Sequence, residues 1–130
     1  MLNTLLVIGL GGAIGSILRW LLGIGFNHLF PAIPPGTLLA NLIAAYLIGS
    51  GMMFFLHWPQ LPSHLKLFLM TGCLGGLSTF STFSLEVTML LQQSRLLMAA
   101  LAIGLHVAGS IVMTLLGMLT SNLLLRIFTP

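Results

Sequence analysis

Charge is what this sequence has least of. In 130 residues there are four basic side chains, Arg19, Lys66, Arg95 and Arg126, and one acidic one, Glu86. Charged residues are 4% of the chain, against about 25% in ordinary soluble domains. None occurs from Trp20 to Leu65, or from Leu96 to Leu125. A soluble domain of this size needs a mostly polar surface, and too few polar side chains are available to build one. Other absences narrow the field further. A lone acid leaves no carboxylate pair, and neither an ATP-binding motif nor a catalytic constellation is present, so an enzyme is not expected. The single cysteine, Cys73, cannot make an internal disulfide and says little about compartment. The pI of 10.0 rests on scattered cations with no basic patch, which argues against nucleic acid as a partner.

Apolar residues take the place of charge, at 58% of the chain. About 20 of them in a helix span a bilayer. Turn signals cut the sequence into four such runs, at about residues 2–26, 36–55, 65–91 and 96–127. Pro31, Pro34 and Pro35 mark the first turn, Pro59 and Pro62 the second, and Gln92-Gln93-Ser94-Arg95 the third. The expected fold class is an all-α membrane protein. A single four-helix transmembrane domain fills residues 1–130, multi-pass in the cell (inner) membrane with the lipid bilayer as its solvent. The first run lacks a basic start and a clear cleavage site, and is expected to be retained.

Four spans put both termini on one face. Lys66 and Arg126 fall on that face, Arg95 and Arg19 toward the other. The positive-inside rule needs an excess, and this count is nearly balanced. The expectation is a chain that inserts both ways. Four short helices are also too few to enclose a hydrated path, which points to an oligomer, and opposed copies give an antiparallel two-fold dimer.

Gly9-Leu10-Gly11-Gly12-Ala13-Ile14-Gly15 superficially matches a dinucleotide loop, but no βαβ unit follows. Gly11 and Gly15, four apart, instead share a face for close helix packing. Arg19 lies on that face. It either anchors a helix end or draws anions into a vestibule. Asn41, one turn inside the second span, either bonds another helix or lines a path. Thr37 reads as a helix-start residue.

The third span carries the most information. Gly75-Gly76 is followed by Ser78, Thr79, Ser81, Thr82 and Ser84. One membrane hydroxyl usually bonds back to its own preceding turn. Five beside two glycines make a poor lipid-facing helix and predict a break buried in protein or lining a cavity. Carbonyls freed there are ligands for a small hard cation. Phe80 and Phe83 are three apart, and the positive edges of their rings can hold a dehydrated anion. In the fourth span Ala100, Gly104 and Ala108 form a small stripe suited to packing. His106, Ser110 and Thr114 form a polar one, suited to a pathway.

Residues 11–19, 36–41 and above all 75–86 resemble the Fluc (CrcB) fluoride channels, and the four-span layout extends the resemblance over essentially the whole chain. It implies dual-topology antiparallel homodimers with two fluoride pathways. It implies that Phe80 and Phe83 are the paired pore phenylalanines, that Asn41 lines the pore, and that Ser81 and Thr82 belong to a polar track. His106, Ser110 and Thr114 fall where the fourth helix joins that track. Glu86, the lone acid, is on its own residue chemistry either buried and protonated or facing water at a pathway mouth, and is counted with the ion pathway. A structural Na⁺ at the dimer centre is implied at the backbone carbonyls of Gly75 and Ser78, with no organic cofactor. The function expected is passive, fluoride-selective export that relieves fluoride toxicity. The alternative is a small dual-topology exporter coupled to protons through Glu86.

Overall fold

A computed structural model describes residues 1–129. Four of its helices are long and apolar enough to cross a membrane: Leu2–Leu29, Pro35–His57, Ser63–Gln92 and Leu96–Phe128. No strand occurs among the described residues. Prolines and polar turns separate these helices. Pro35 opens the second helix at a position where its missing N–H costs nothing. Most large apolar side chains point outward, Leu10, Ile17 and Leu115 among them. In lipid this is the stable arrangement, since acyl chains are as apolar as leucine.

With lipid no worse a neighbour than protein, close backbone approach holds the helices together. The first helix packs on the first half of the third through reciprocal glycines. A Cβ added at Gly11 or Gly15 would strike the carbonyls of Phe68 and Cys73, and one at Gly76 would lie 2.5 Å from the carbonyl of Gly12. The packing role expected for Gly11 and Gly15 is therefore what the fold uses. Gly72 and Gly76 are their partners across the contact. The second and fourth helices repeat the device. Gly49 sits against the carbonyl of Thr114, and Gly117 against that of Tyr46. Ser50 Oγ donates to the Gly117 carbonyl (3.1 Å) and Tyr46 Oη pairs with Thr120 Oγ1 (2.8 Å) along the same seam.

The stripe Ala100-Gly104-Ala108 does not pack as expected. All three residues are exposed in the protomer, and a Cβ at Gly104 would meet nothing within 4 Å. Ala99 and Ala102 are the buried ones. The stripe lies together on the outer surface of the protomer, across a π-helical turn at Gly104–Ala108, and so meets none of the protomer's other helices closely.

The third helix is broken, but more narrowly than its glycines suggest. It runs α-helical over Ser63–Lys66, π-helical over Leu67–Leu74 and α-helical again over Gly75–Leu77. Ser78 (φ −75°, ψ 152°) and Thr79 (φ −148°, ψ 118°) are extended, and a new helix starts at Phe80 and ends at Gln92. Gly75 remains helical. Thr79 caps the new helix: its Oγ1 accepts from the Thr82 N–H at 3.1 Å.

Candidate functional site

The break is clamped by one side chain from the second helix. Asn41 Oδ1 accepts from the Thr79 N–H at 2.6 Å, and Asn41 Nδ2 donates to the Thr79 carbonyl at 3.0 Å. A backbone N–H can only donate, so this pair fixes which end of the carboxamide is oxygen. The second hydrogen on Nδ2 then points to His106 Nδ1, 3.0 Å away on the fourth helix. That nitrogen must accept, which places the ring proton of neutral His106 on Nε2. His106 is buried, at 4% exposure, and its Nε2 has no hydrogen-bond partner. An orphaned buried donor is costly in a resting core, and so points to a ligand.

His106 is also part of the wall of a cavity of about 440 Å³. Asn41, Phe80, Phe83, His106, Ser110 and Thr114 line it together with Gly75 and Ser78, so most of the site expected from sequence is brought to one place. Phe83 is stacked 4.6 Å from the His106 ring, and Phe80 meets Phe83 edge-on at 5.5 Å. Phe83 is buried at 7% exposure while Phe80 is 77% exposed. The two therefore differ in kind: one is part of the protomer's core, the other stands on its surface. Thr114 Oγ1 donates to the Ser110 carbonyl at 2.9 Å, so its one hydrogen is used within the helix.

A second cavity of about 350 Å³ lies on the other side of the clamp, lined by Arg19, Trp20, Asn27, Thr37 and Thr82 among others. Thr79 lines both. It is the partition between them, and sequence reasoning gave it no role. Its signal was available: a threonine three residues before Thr82, at the start of a helix.

Arg19 combines the two readings it was given. Its Nε donates to the Gly76 carbonyl at 3.0 Å, a structural bond to the break, while the residue also lines this second cavity. Thr82 belongs here and not with the phenylalanines. Ser81 is exposed and lines neither, its Oγ 3.4 Å from Thr79 Oγ1. Thr37 is in the first turn of the second helix as expected, but its hydroxyl does not cap. It donates to Glu86 Oε1 at 2.8 Å, and its own N–H goes to Asn27 Oδ1 at 3.1 Å. Glu86 is thus hydrogen-bonded beside the second cavity and lines neither of the two.

The carbonyls at the break divide into those with partners and those without. In an unbroken helix the Thr79 N–H would bond to Gly75 O, and the Thr82 N–H to Ser78 O. Here these N–H groups are taken by Asn41 and by Thr79 Oγ1. The carbonyls of Gly75 and Ser78 lose their helical donors, as a cation site built from backbone oxygen requires.

The sequence places this architecture among known proteins. The family model described as CrcB-like protein, Camphor Resistance (CrcB), matches residues 6–118. The chain belongs to the CrcB family. A relative from Tolumonas auensis is 62% identical over 126 residues, covering 97% of this chain and 99% of that protein. Relatives from Pseudomonas putida and Nitrosomonas europaea are 55% and 52% identical, each covering 92% of this chain and 94% of its own length. All three are called fluoride-specific ion channel FluC. With four apolar spans, the chain is a multi-pass membrane protein and, like its family, no enzyme.

Proposed function

We propose that this CrcB-family protein is a fluoride-selective channel that lets cytoplasmic fluoride leave the cell passively, across the inner membrane, and so relieves its toxicity. The observation that carries the mechanism is a cavity lined by Phe80, Phe83 and His106, with the unpartnered Nε2–H of His106 buried in its wall. A small dehydrated anion needs short, fixed donors and weak positive edges in place of water. His106 and Ser110 supply donors from the fourth helix, Thr114 joins them where its hydroxyl turns away from the Ser110 carbonyl, and Phe80 and Phe83 bring aromatic edges to the same cavity. Chloride is larger and fits such a track poorly. Several weak sites in series allow fast exit.

The protomer's cavity is open, and Gly75, Ser78, Phe80 and Ser81 on the same segment are exposed. Irregular backbone at membrane depth is not left against lipid. A second copy, antiparallel and two-fold related, covers that face and encloses two pathways. The nearly balanced cations let copies insert in both orientations. At the dimer centre the freed carbonyls of Gly75 and Ser78 hold a structural Na⁺, which supplies a fixed positive charge and ties the breaks together. Arg19 makes the second cavity an electropositive vestibule with the Thr82 hydroxyl in its wall, and Ser81, exposed on the face the second copy covers, continues the polar track there.

Efflux from liposomes, followed with a fluoride electrode, tests the channel. Purified protein alone should release fluoride and retain chloride, and release should continue with no proton gradient imposed. The proton-coupled alternative requires flux to follow that gradient. It is disfavoured because Glu86 is bonded to Thr37 away from the main cavity.

A further inference from the structure

We propose that the groove between the C-terminal ends of the second and fourth helices is a binding site for the phosphate of an anionic phospholipid. The groove has a volume of about 300 Å³ and opens between Met53, Leu56 and His57 of the second helix and Asn122, Leu125 and Arg126 of the fourth. It takes no part in the pathway described above. Asn122 and Arg126 also lie beyond residues 6–118, the stretch that carries the family match.

Charge is the first argument. Arg126 is an exposed cation in the last turn of the fourth helix. The only acidic side chain is Glu86, which is bonded to Thr37. Thr37 and His57 stand at opposite ends of one helix, Pro35–His57. At about 1.5 Å per residue, 20 residues separate them by about 30 Å. No acidic side chain of this protomer can reach Arg126, so no side-chain ion pair competes with a phosphate for its guanidinium.

Depth is the second. His57 packs edge-on against Trp58 at 4.6 Å, and Trp58 against Phe54 at 4.7 Å. Tryptophan at a span's end marks the membrane–water interface, the level of lipid phosphates.

The lining is the third. Asn122 and Arg126 are four apart and share a helix face, so amide and guanidinium converge. A guanidinium fork matches phosphate oxygens in a bidentate way. His57 contributes a ring nitrogen from the neighbouring helix. Met53, Leu56 and Leu125 add the apolar contacts that an acyl chain needs and a free ion does not. Basic pockets between spans take lipid head groups in this manner.

Native mass spectrometry of the detergent-purified full chain tests the site, with phosphatidylglycerol and phosphatidylcholine titrated in parallel and inorganic phosphate as competitor. Wild type should retain phosphatidylglycerol over phosphatidylcholine. Arg126→Gln should cut phosphatidylglycerol retention about five-fold, the equivalent of about 1 kcal/mol, and Arg126→Lys should lose less. Excess phosphate should displace little lipid. Equal retention of the two lipids, or equal phosphatidylglycerol retention by wild type and Arg126→Gln, overturns the proposal. Displacement by phosphate alone shows a free-anion site and overturns the lipid assignment. Melting temperatures establish that each variant is folded. If Arg126→Gln is not, Asn122→Leu, which removes the second donor from the same face, replaces it and is held to the same outcomes.

Discussion

Nδ2 of Asn41 lies 3.0 Å from Nδ1 of His106, and the same nitrogen lies 3.0 Å from the Thr79 carbonyl. Both amide hydrogens are therefore in use within the protein. Asn41 has no spare donor to offer an ion, and the free donor of the trio is His106 Nε2. The asparagine acts through others: it closes the break at Thr79 and sets the histidine tautomer. Asn41→Asp removes both hydrogens while keeping the shape. The Thr79 carbonyl and His106 Nδ1 would then face an acceptor. The expected result is a stability loss of about 1–3 kcal/mol for the orphaned polar groups and a fall in fluoride efflux of at least about ten-fold. Thermal unfolding together with electrode-monitored efflux checks both. A variant that melts and conducts like wild type sinks this role.

His106→Phe separates the ring from its nitrogens. The phenyl group can keep the stack on Phe83, 4.6 Å away, so packing changes little. What goes is the unpartnered N–H. A hydrogen bond to a charged group is worth about 1.5–3 kcal/mol, so efflux should drop by about 10-fold or more. Normal efflux from a folded His106→Phe protein would remove the histidine from the conduction mechanism and leave the hydroxyls to carry it.

The two phenylalanines should separate by stability and not by flux. Phe83 is 7% exposed and Phe80 77%. Phe83→Ile leaves part of a core position empty and should cost about 1–2 kcal/mol, while Phe80→Ile should leave protomer stability near wild type. Both remove an aromatic edge from the cavity, and both should lower fluoride efflux. If neither does, the phenylalanine wall is not part of the mechanism, whatever the channel's selectivity.

Much of this was legible without coordinates, because the bilayer simplifies the reading. Uninterrupted apolar runs and the prolines between them gave the spans. The polar cluster after Gly75 marked the break, since such a cluster has few other uses at membrane depth. The position of the break was harder to see. Gly75 and Gly76 look like its centre, yet Gly75 stays helical and Gly76 packs against Gly12, and the chain opens at Ser78 and Thr79. Glycine signals both a kink and close approach, and sequence alone does not say which. Thr37 was read as a helix start because its partner Glu86 is 49 residues away. Long-range side-chain pairs leave no periodic trace. The stripe through Gly104 failed as a contact within the protomer for a related reason: spacing marks a small-residue face but not what that face meets.

That failure yields a paired prediction. Gly15 and Gly104 are both glycines inside membrane helices with helical neighbours, and local propensity treats them alike. A methyl on Gly15 meets the carbonyl of Cys73, which is backbone and cannot swing aside. The first and third helices would have to move apart, and the displacement would pass along residues 73–77 to the break itself. Gly15→Ala should therefore lower the melting temperature sharply and abolish efflux. A methyl on Gly104 meets nothing within 4 Å in the protomer. Alanine there is favoured over glycine by up to about 1 kcal/mol in a helix, so Gly104→Ala should melt at or above the wild-type temperature. The proposed dimer sharpens the comparison. If Gly104→Ala instead loses efflux and runs as a monomer in size-exclusion chromatography while still melting normally, the exposed stripe is where the second copy makes its own close approach. If Gly15→Ala melts and conducts normally, the reciprocal glycine contact does not hold the third helix in its broken form.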